Sequence, residues 1–200
     1  MVTDEPEGHF FLLMDPEWQR RPDEEVPPLR SVVGLWPVTV DGAVGPFRTN
    51  PGYVPLRPES PTDPVDALLR LAGRGDARVE QLQLILRDTL VDLAMNGDGR
   101  PLVVRSPDDV PCAVVTTATP HQGRVSAPDW RRVELAELVE QLADGVDVLI
   151  NPGGPAPVRL TGDFLRHTLL LADGELAALH DRFREAETVA VLDWDTADDR

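Results

Sequence analysis

The sequence predicts an α+β fold, with strands and helices mixed in one chain and no strict strand–helix–strand repeat. Three observations carry this. Continuous apolar runs of strand length, such as VPCAVVTTA at 110–118, alternate with segments of helical period, such as ELAELVEQLA at 134–143. Proline and glycine punctuate almost every boundary between them, with 20 and 15 of each. The hydrophobic share, 42%, is ordinary for a chain with a real core, and 200 residues make one domain or one domain with an extension.

In chain order, residues 1–9 read as disordered and HFFLLM (9–14) as a buried strand. A charged, proline-rich loop covers 19–28. SVVGLWPVTVDGAVGPFRTNP (31–51) reads as a hairpin, with a type I′ turn signal at Asp41-Gly42. Pro37 and Pro46 each remove a ladder donor, which places these arms at a sheet edge or at bulges. Residues 53–63 are the linker candidate. Thr62 or Asp63 then caps a helix with Pro64 in its first turn, and Gly73 or Gly75 ends it. A second helix follows Asp76, with Val79, Leu82, Ile85 and Leu86 as its stripe. TLVDLAM can extend that helix or start a strand, with a strand pair flanking the turn NGDGRP preferred, and LVVR reads as a strand.

VPCAVVTTA is the most strand-like segment, and its apolar continuity gives it a central position. Residues 134–143 form a helix with Leu135, Leu138, Val139 and Leu142 on one face, stopped by Gly145. VDVLI and APVRL are strands, and a helix starts near Thr161 or Asp163. A second C-terminal helix (174–187) and a last strand in TVAVLDWD complete the reading. The organisation expected is an N-terminal strand and hairpin (1–52), a linker (53–63), a main domain (64–171) and a C-terminal extension (172–200).

Charge and composition exclude several functions. The net charge is −16. Residues 1–99 carry 17 acids against 9 arginines, residues 100–166 carry 9 against 7, and residues 167–200 carry 9 against 3. Nucleic-acid binding needs a cationic face that this chain lacks, and an anionic membrane surface would repel it. The acidity favours solubility and a basic protein partner. All 19 cations are arginine, a bias that fits GC-rich coding. The acidic start MVTDEPEGH is no secretory leader, and no apolar stretch approaches the ~18 residues of a membrane span, so the expectation is a cytoplasmic protein.

The chemical motifs fail one by one. Asn151-Pro152-Gly153-Gly154-Pro155 has adjacent glycines, prolines that delete amide donors, and no lysine anywhere in the chain to serve a phosphate loop, so it reads as a sharp turn between strands. With Asp92 as position 1 of a calcium loop, Ala94 and Val103 fall where oxygen ligands belong, so NGDGR is a turn. VLDWDT (191–196) imitates the D-x-D-x-T opening of haloacid-dehalogenase-like phosphotransferases, but only four residues follow Thr196. Asp193 and Asp195 read better as an acidic edge. Histidines 9, 121, 167 and 180 show no paired spacing, and Cys112, the lone cysteine, reads as a buried small hydrophobe. No catalytic, cofactor or metal residue is therefore expected. Trp18, Trp36, Tyr53 and Trp130 stand near proline-rich turns, where they either pack as a satellite cluster or serve as interface anchors. Protein binding is expected to involve Trp36 and Tyr53, and Trp130 with Arg131 and Arg132.

PLVVRSPDDVPCAVVTTA and WRRVELAELVEQLADGVDVLINPGGPAPVRLTGDFL together resemble the SseB N-terminal-like domain, over residues 64–171. Asn151, Pro152, Arg159 and Leu160 are the matching motif positions. FLLMDPEW, PPLRSVVGLWPVTVDGAVGPFRTNPGYVP and SPTDPVDALLRL resemble the front piece of actinobacterial proteins associated with type VII secretion. The resemblance implies an SseB-like sheet with flanking helices behind a strand and hairpin. It also implies a non-enzymatic cytoplasmic accessory or chaperone-like protein whose partners are secretion components or secreted substrates. A toxin-neutralising immunity or regulatory protein is the alternative, and a metal-dependent phosphotransferase using Asp193 and Asp195 is the third reading. The segment from Gly174 onward lies beyond the shared pattern.

Overall fold

The computed structural model describes residues 9–19, 27–38, 45–57, 59–171, 175, 178 and 191–193. It is an α+β fold with two sheets. The first is antiparallel, in the order β10-β1-β2-β3, with β1 at His9–Met14, β2 at Val32–Val38, β3 at Arg48–Thr49 and β10 at Val191–Asp193. The hairpin reading holds, since Gly34 pairs Thr49 and Leu35 pairs Arg48. The turn signal at Asp41-Gly42 lies outside the described residues. Pro37 pairs Phe10 of β1, while its carbonyl accepts from Gly45 N on the opposite side at 2.7 Å. In an antiparallel strand N–H and C=O of one residue point the same way, so the missing donor of Pro37 faces away from β1, beyond the two-residue β3.

The second sheet runs β7-β4-β6-β8-β9, with β5 also on β6. Its strands are β4 (Val91–Met95), β5 (Val103–Arg105), β6 (Pro111–Thr116), β7 (Asp129–Val133), β8 (Asp147–Ile150) and β9 (Val158–Leu160). β6 is central, as its composition predicts, antiparallel to β4 and β5 and parallel to β8. β4 and β5 do not pair along their length with each other. Both lie antiparallel on β6, and the turn at 96–100 is looped out between them. Leu102 N donates to Ala94 O at 2.8 Å to close its base, and Asn96 Oδ1 accepts from the amides of Asp98 and Arg100. β7 and the one-turn helix α3 (Thr119–Gln122) had no periodic signal in the sequence.

Five helices are described: α1 (Pro64–Arg74), α2 (Val79–Asp88), α3, α4 (Leu135–Gln141) and α5 (Gly162–Leu170). Their ends follow the side chains. Asp63 caps α1 by accepting from Asp66 N, Pro64 occupies the first turn, and Gly75 closes the helix at φ 83°. Thr161 caps α5 by accepting from Phe164 N at 3.1 Å. Val79 departs from the α2 stripe. It is the first helical residue and is exposed, while Leu82, Ile85 and Leu86 are buried.

One contiguous core joins the two sheets. It includes Phe11, Leu13 and Trp36 from the first sheet, Leu68 and Ile85 from the helices, and Leu93, Val115 and Ile150 from the second. In β4 and β6, alternate residues (Val91, Leu93, Met95, Ala113, Val115) enter this core, and their neighbours on the other face are buried too. Burial on both faces explains why β6 reads as a continuous apolar run, while in β4 the buried Asp92 interrupts the run. No helix among the described residues is long and apolar enough to cross a membrane.

Candidate functional site

The site worth attention lies where the start of α1, the end of β6, α3 and the turn after β8 converge. Asp63, at the α1 cap, accepts at Oδ2 from Thr117 Oγ1 at 2.7 Å and from Thr62 Oγ1 at 2.9 Å. His121 Nε2 lies 2.9 Å from Thr62 Oγ1. The single Thr62 proton goes to Asp63, so Nε2 carries a hydrogen and donates. On the other side Asn151 is fully buried. Its Nδ2 donates to Thr117 Oγ1 at 2.8 Å, and its Oδ1 accepts from Thr117 N at 3.0 Å. A relay thus runs His121–Thr62–Asp63–Thr117–Asn151 and fastens four chain segments to one carboxylate.

The Asn-Pro motif acquires a physical meaning here. Asn151 adopts φ 49°, a left-handed conformation that asparagine tolerates better than most residues, and this turns its amide back onto β6. Gly153 follows at φ 72°. Gly154 leaves room for His121: a Cβ on it would stand 2.9 Å from Asn151 O and 3.3 Å from His121 Nδ1. The bend is therefore a turn between the antiparallel strands β8 and β9. Pro152 and Pro155 have no amide hydrogen, and the amides of Asn151 and Gly154 are spent on Val115 O and Asn151 O, which leaves little to hold an anion.

Asp66, on the next turn of α1, is fully buried and pairs with Arg70 at 2.8 Å. His121 Nε2 is 3.8 Å from an oxygen of each aspartate, so Asp63, Asp66 and His121 bring three possible metal ligands within 4.8 Å of one another. The ligand atoms that face one another in this trio are already partly taken up within the protein, although Asp66 Oδ1 and His121 Nδ1 have no hydrogen-bond partner. Arg70 already compensates Asp66, and Asp63 and His121 are engaged through Thr62. The sequence hides this cluster because His121 has no local partner; the residues it meets are about 60 positions away. The only legible trace was the cap signal at Thr62-Asp63. Burial pushes the Asp63 carboxyl above its ordinary range, against the opposing pull of the Asp66 amide and the Thr117 and Thr62 hydroxyls.

Asp63, Thr62 and Thr117 also form part of the wall of a cleft of about 440 Å³, which reaches β2 and β3 on one side and the start of β4 on the other. That volume lies within the range of small ligand pockets, ~300–1,000 Å³.

The expected binding residues fall in different places. Trp36 is a core residue, 2% exposed, packed edge-on to Phe47 with ring centroids 4.6 Å apart. This corrects its reading as a surface anchor: the strand pleat turns the ring inward. Tyr53 is half-buried, and its hydroxyl lies 3.1 Å from both Asp15 Oδ2 and Pro61 O. Burial and the nearby Asp15 carboxylate hold its pKa well above the usual phenol value. Trp130 is half-buried on β7, with Arg131 and Arg132 exposed beside it. Arg131 pairs with Glu137 and Arg132 with Asp92. The structure does not bring the Trp36–Tyr53 and β7 groups together as one exposed patch, although Tyr53 and Arg132 both touch the cleft. Arg159 pairs with Asp108 at 2.9 Å and Asp147 at 3.4 Å, Leu160 packs against the core, and Pro152 is half-buried in the turn. Cys112 is fully buried, and burial raises its thiol pKa, in keeping with the reading as a small hydrophobe. Asp193 lies in β10 opposite His9, while Asp195 and His180 lie outside the described residues.

Compared with family models, curated proteins and solved structures, the chain matches none.

Proposed function

We propose that this chain is a non-enzymatic accessory or chaperone-like protein that works by binding other proteins, of the kind associated with type VII secretion in actinobacteria. The observation that carries the reading is the state of the relay. His121, 2% exposed with its Nε2 on Thr62 Oγ1, does not line the cleft, and Asp63, which does, already holds two hydroxyls and the helix amide. A general base must reach a substrate proton, and the imidazole is shut away from the cleft where a substrate would sit. The resemblance over residues 64–171 and in the front segment supplies the secretion context. Leu29, Val54 and Leu56 add apolar surface on adjoining loops, where the Val54 amide donates to Arg30 O.

The test is co-purification. Tagged protein drawn from its native host at low salt should retain secretion components or secreted substrates. Recovery of none counts against the reading, and growth rescue on co-expression with a neighbouring toxin would favour the immunity alternative.

A further inference from the structure

We propose that the cleft beside the relay receives the cationic side chain, an arginine or a lysine, of a partner polypeptide. This inference rests on the protein-binding reading above and names the chemistry of its site. The argument comes from where the wall's protons point. Thr62 Oγ1 and Thr117 Oγ1 both donate to Asp63 Oδ2, at 2.9 and 2.7 Å, and Thr89 Oγ1 donates to Ile85 O at 2.7 Å. A hydroxyl has one proton, so all three can only accept from whatever enters the cleft. Asp63 Oδ1 takes a single amide hydrogen, from Asp66, and retains acceptor capacity.

Around Asp63 the wall therefore offers acceptors, while the donors of the lining are the Thr49 and Thr119 hydroxyls and the Arg132 guanidinium. A carbonyl or carboxylate placed against Asp63, Thr62 and Thr117 would face lone pairs, an expensive arrangement once water leaves. A guanidinium or ammonium brings several donors and a positive charge to a partly buried carboxylate. Arg132, the cation on this wall, does not oppose it strongly, because its guanidinium lies 3.6 Å from Asp92 Oδ1. The surrounding charge points the same way, since a chain of net charge −16 attracts basic partners. The volume, about 440 Å³, admits a long side chain with some backbone.

The experiment is a titration of the full chain, followed by amide NMR, with the blocked pentapeptide Gly-Gly-Arg-Gly-Gly and its citrulline counterpart. Citrulline keeps the shape and removes the charge. The arginine peptide should move the signals of Thr62, Leu90 and Thr117, and the citrulline peptide should bind at least about tenfold more weakly, as loss of a charge-assisted bond predicts. Leu90, 44% exposed at the cleft, provides a blocking variant: Leu90→Arg should weaken the arginine peptide by about tenfold or more. The same charge change at exposed Val103, on β5, should leave it unaltered. Equal binding of the citrulline peptide, movement only at other residues, or no movement at all would overturn the proposal. Free agmatine binding as tightly as the peptide would overturn the polypeptide source. If Leu90→Arg compromises folding, the two peptides on the unaltered protein still decide. The two readings fail separately. Secretion partners that co-purify equally with the unaltered protein and a folded Leu90→Arg variant would remove the cleft and keep the accessory role. An arginine peptide that binds while no partner co-purifies would do the reverse.

Discussion

Two aspartates organise the molecule, and their surroundings differ. Asp15, just after β1, is 1% exposed and gathers donors from a distant loop. Its Oδ2 accepts from Ser60 Oγ at 2.8 Å and Tyr53 Oη at 3.1 Å, and its Oδ1 from Glu17 N at 2.9 Å. Asp63 likewise gathers hydroxyls, but it stands on the wall of a cleft. The first carboxylate is held by Tyr53, Leu56 and Ser60 and borders a smaller cavity of about 280 Å³. The second pins α1, β6 and the Asn-Pro turn while leaving one side open. The same residue type can thus pin a loop or line a cleft. What decides between them is whether packing closes over its acceptors.

Breaking each anchor should separate the two regions. The largest effect is expected from Asn151→Ala, which strands the Thr117 amide in a buried position and places alanine at positive φ. Thermal or urea unfolding should show a loss of about 3 kcal/mol. Asp15→Ala should follow, at about 2–3 kcal/mol, because Ser60 and Tyr53 lose a buried acceptor. Asp63→Ala should cost less, about 1–2 kcal/mol. It removes a helix cap but also relieves a desolvated charge.

The pH dependence sharpens the contrast. Asp63 holds its proton more tightly folded than unfolded, so its contribution is full below the ordinary carboxylate range and declines as pH rises through the raised value. Urea midpoints of the native protein and of Asp63→Asn, followed upward from about pH 4, should differ in slope, the variant falling less. The smallest change is expected from Arg159→Ala. Its pair with Asp108 is open to solvent and the one with the mostly buried Asp147 is longer, at 3.4 Å, so a loss within about 1 kcal/mol should appear in the same unfolding assay.

Much of the framework was legible in residues. The cap, read as Thr62 or Asp63, falls at Asp63, and the stop, read as Gly73 or Gly75, at Gly75; these, the central β6 and the α4 face rest on contacts within a few positions or on apolar periodicity. β7 escaped notice because DWRRV has only one buried residue, Val133, and its strand character comes from pairing β4. Of the two readings of Trp36, packing and not anchoring is what the fold gives: its proline neighbour suggests a surface turn, but its place on β2 buries the ring against Phe47.

By itself the sequence determined the α+β class, the helix ends, the central strand and the Asn151–Pro155 bend, since propensity, capping and proline chemistry act locally. Only the tertiary structure decided that His121, Thr62, Asp63, Thr117 and Asn151 form one relay beside a cleft. Hydrogen bonds between residues about 30 to 60 positions apart leave no periodic trace in a chain, and their direction, which turns the Thr62 and Thr117 hydroxyls onto Asp63, exists only once the segments have met.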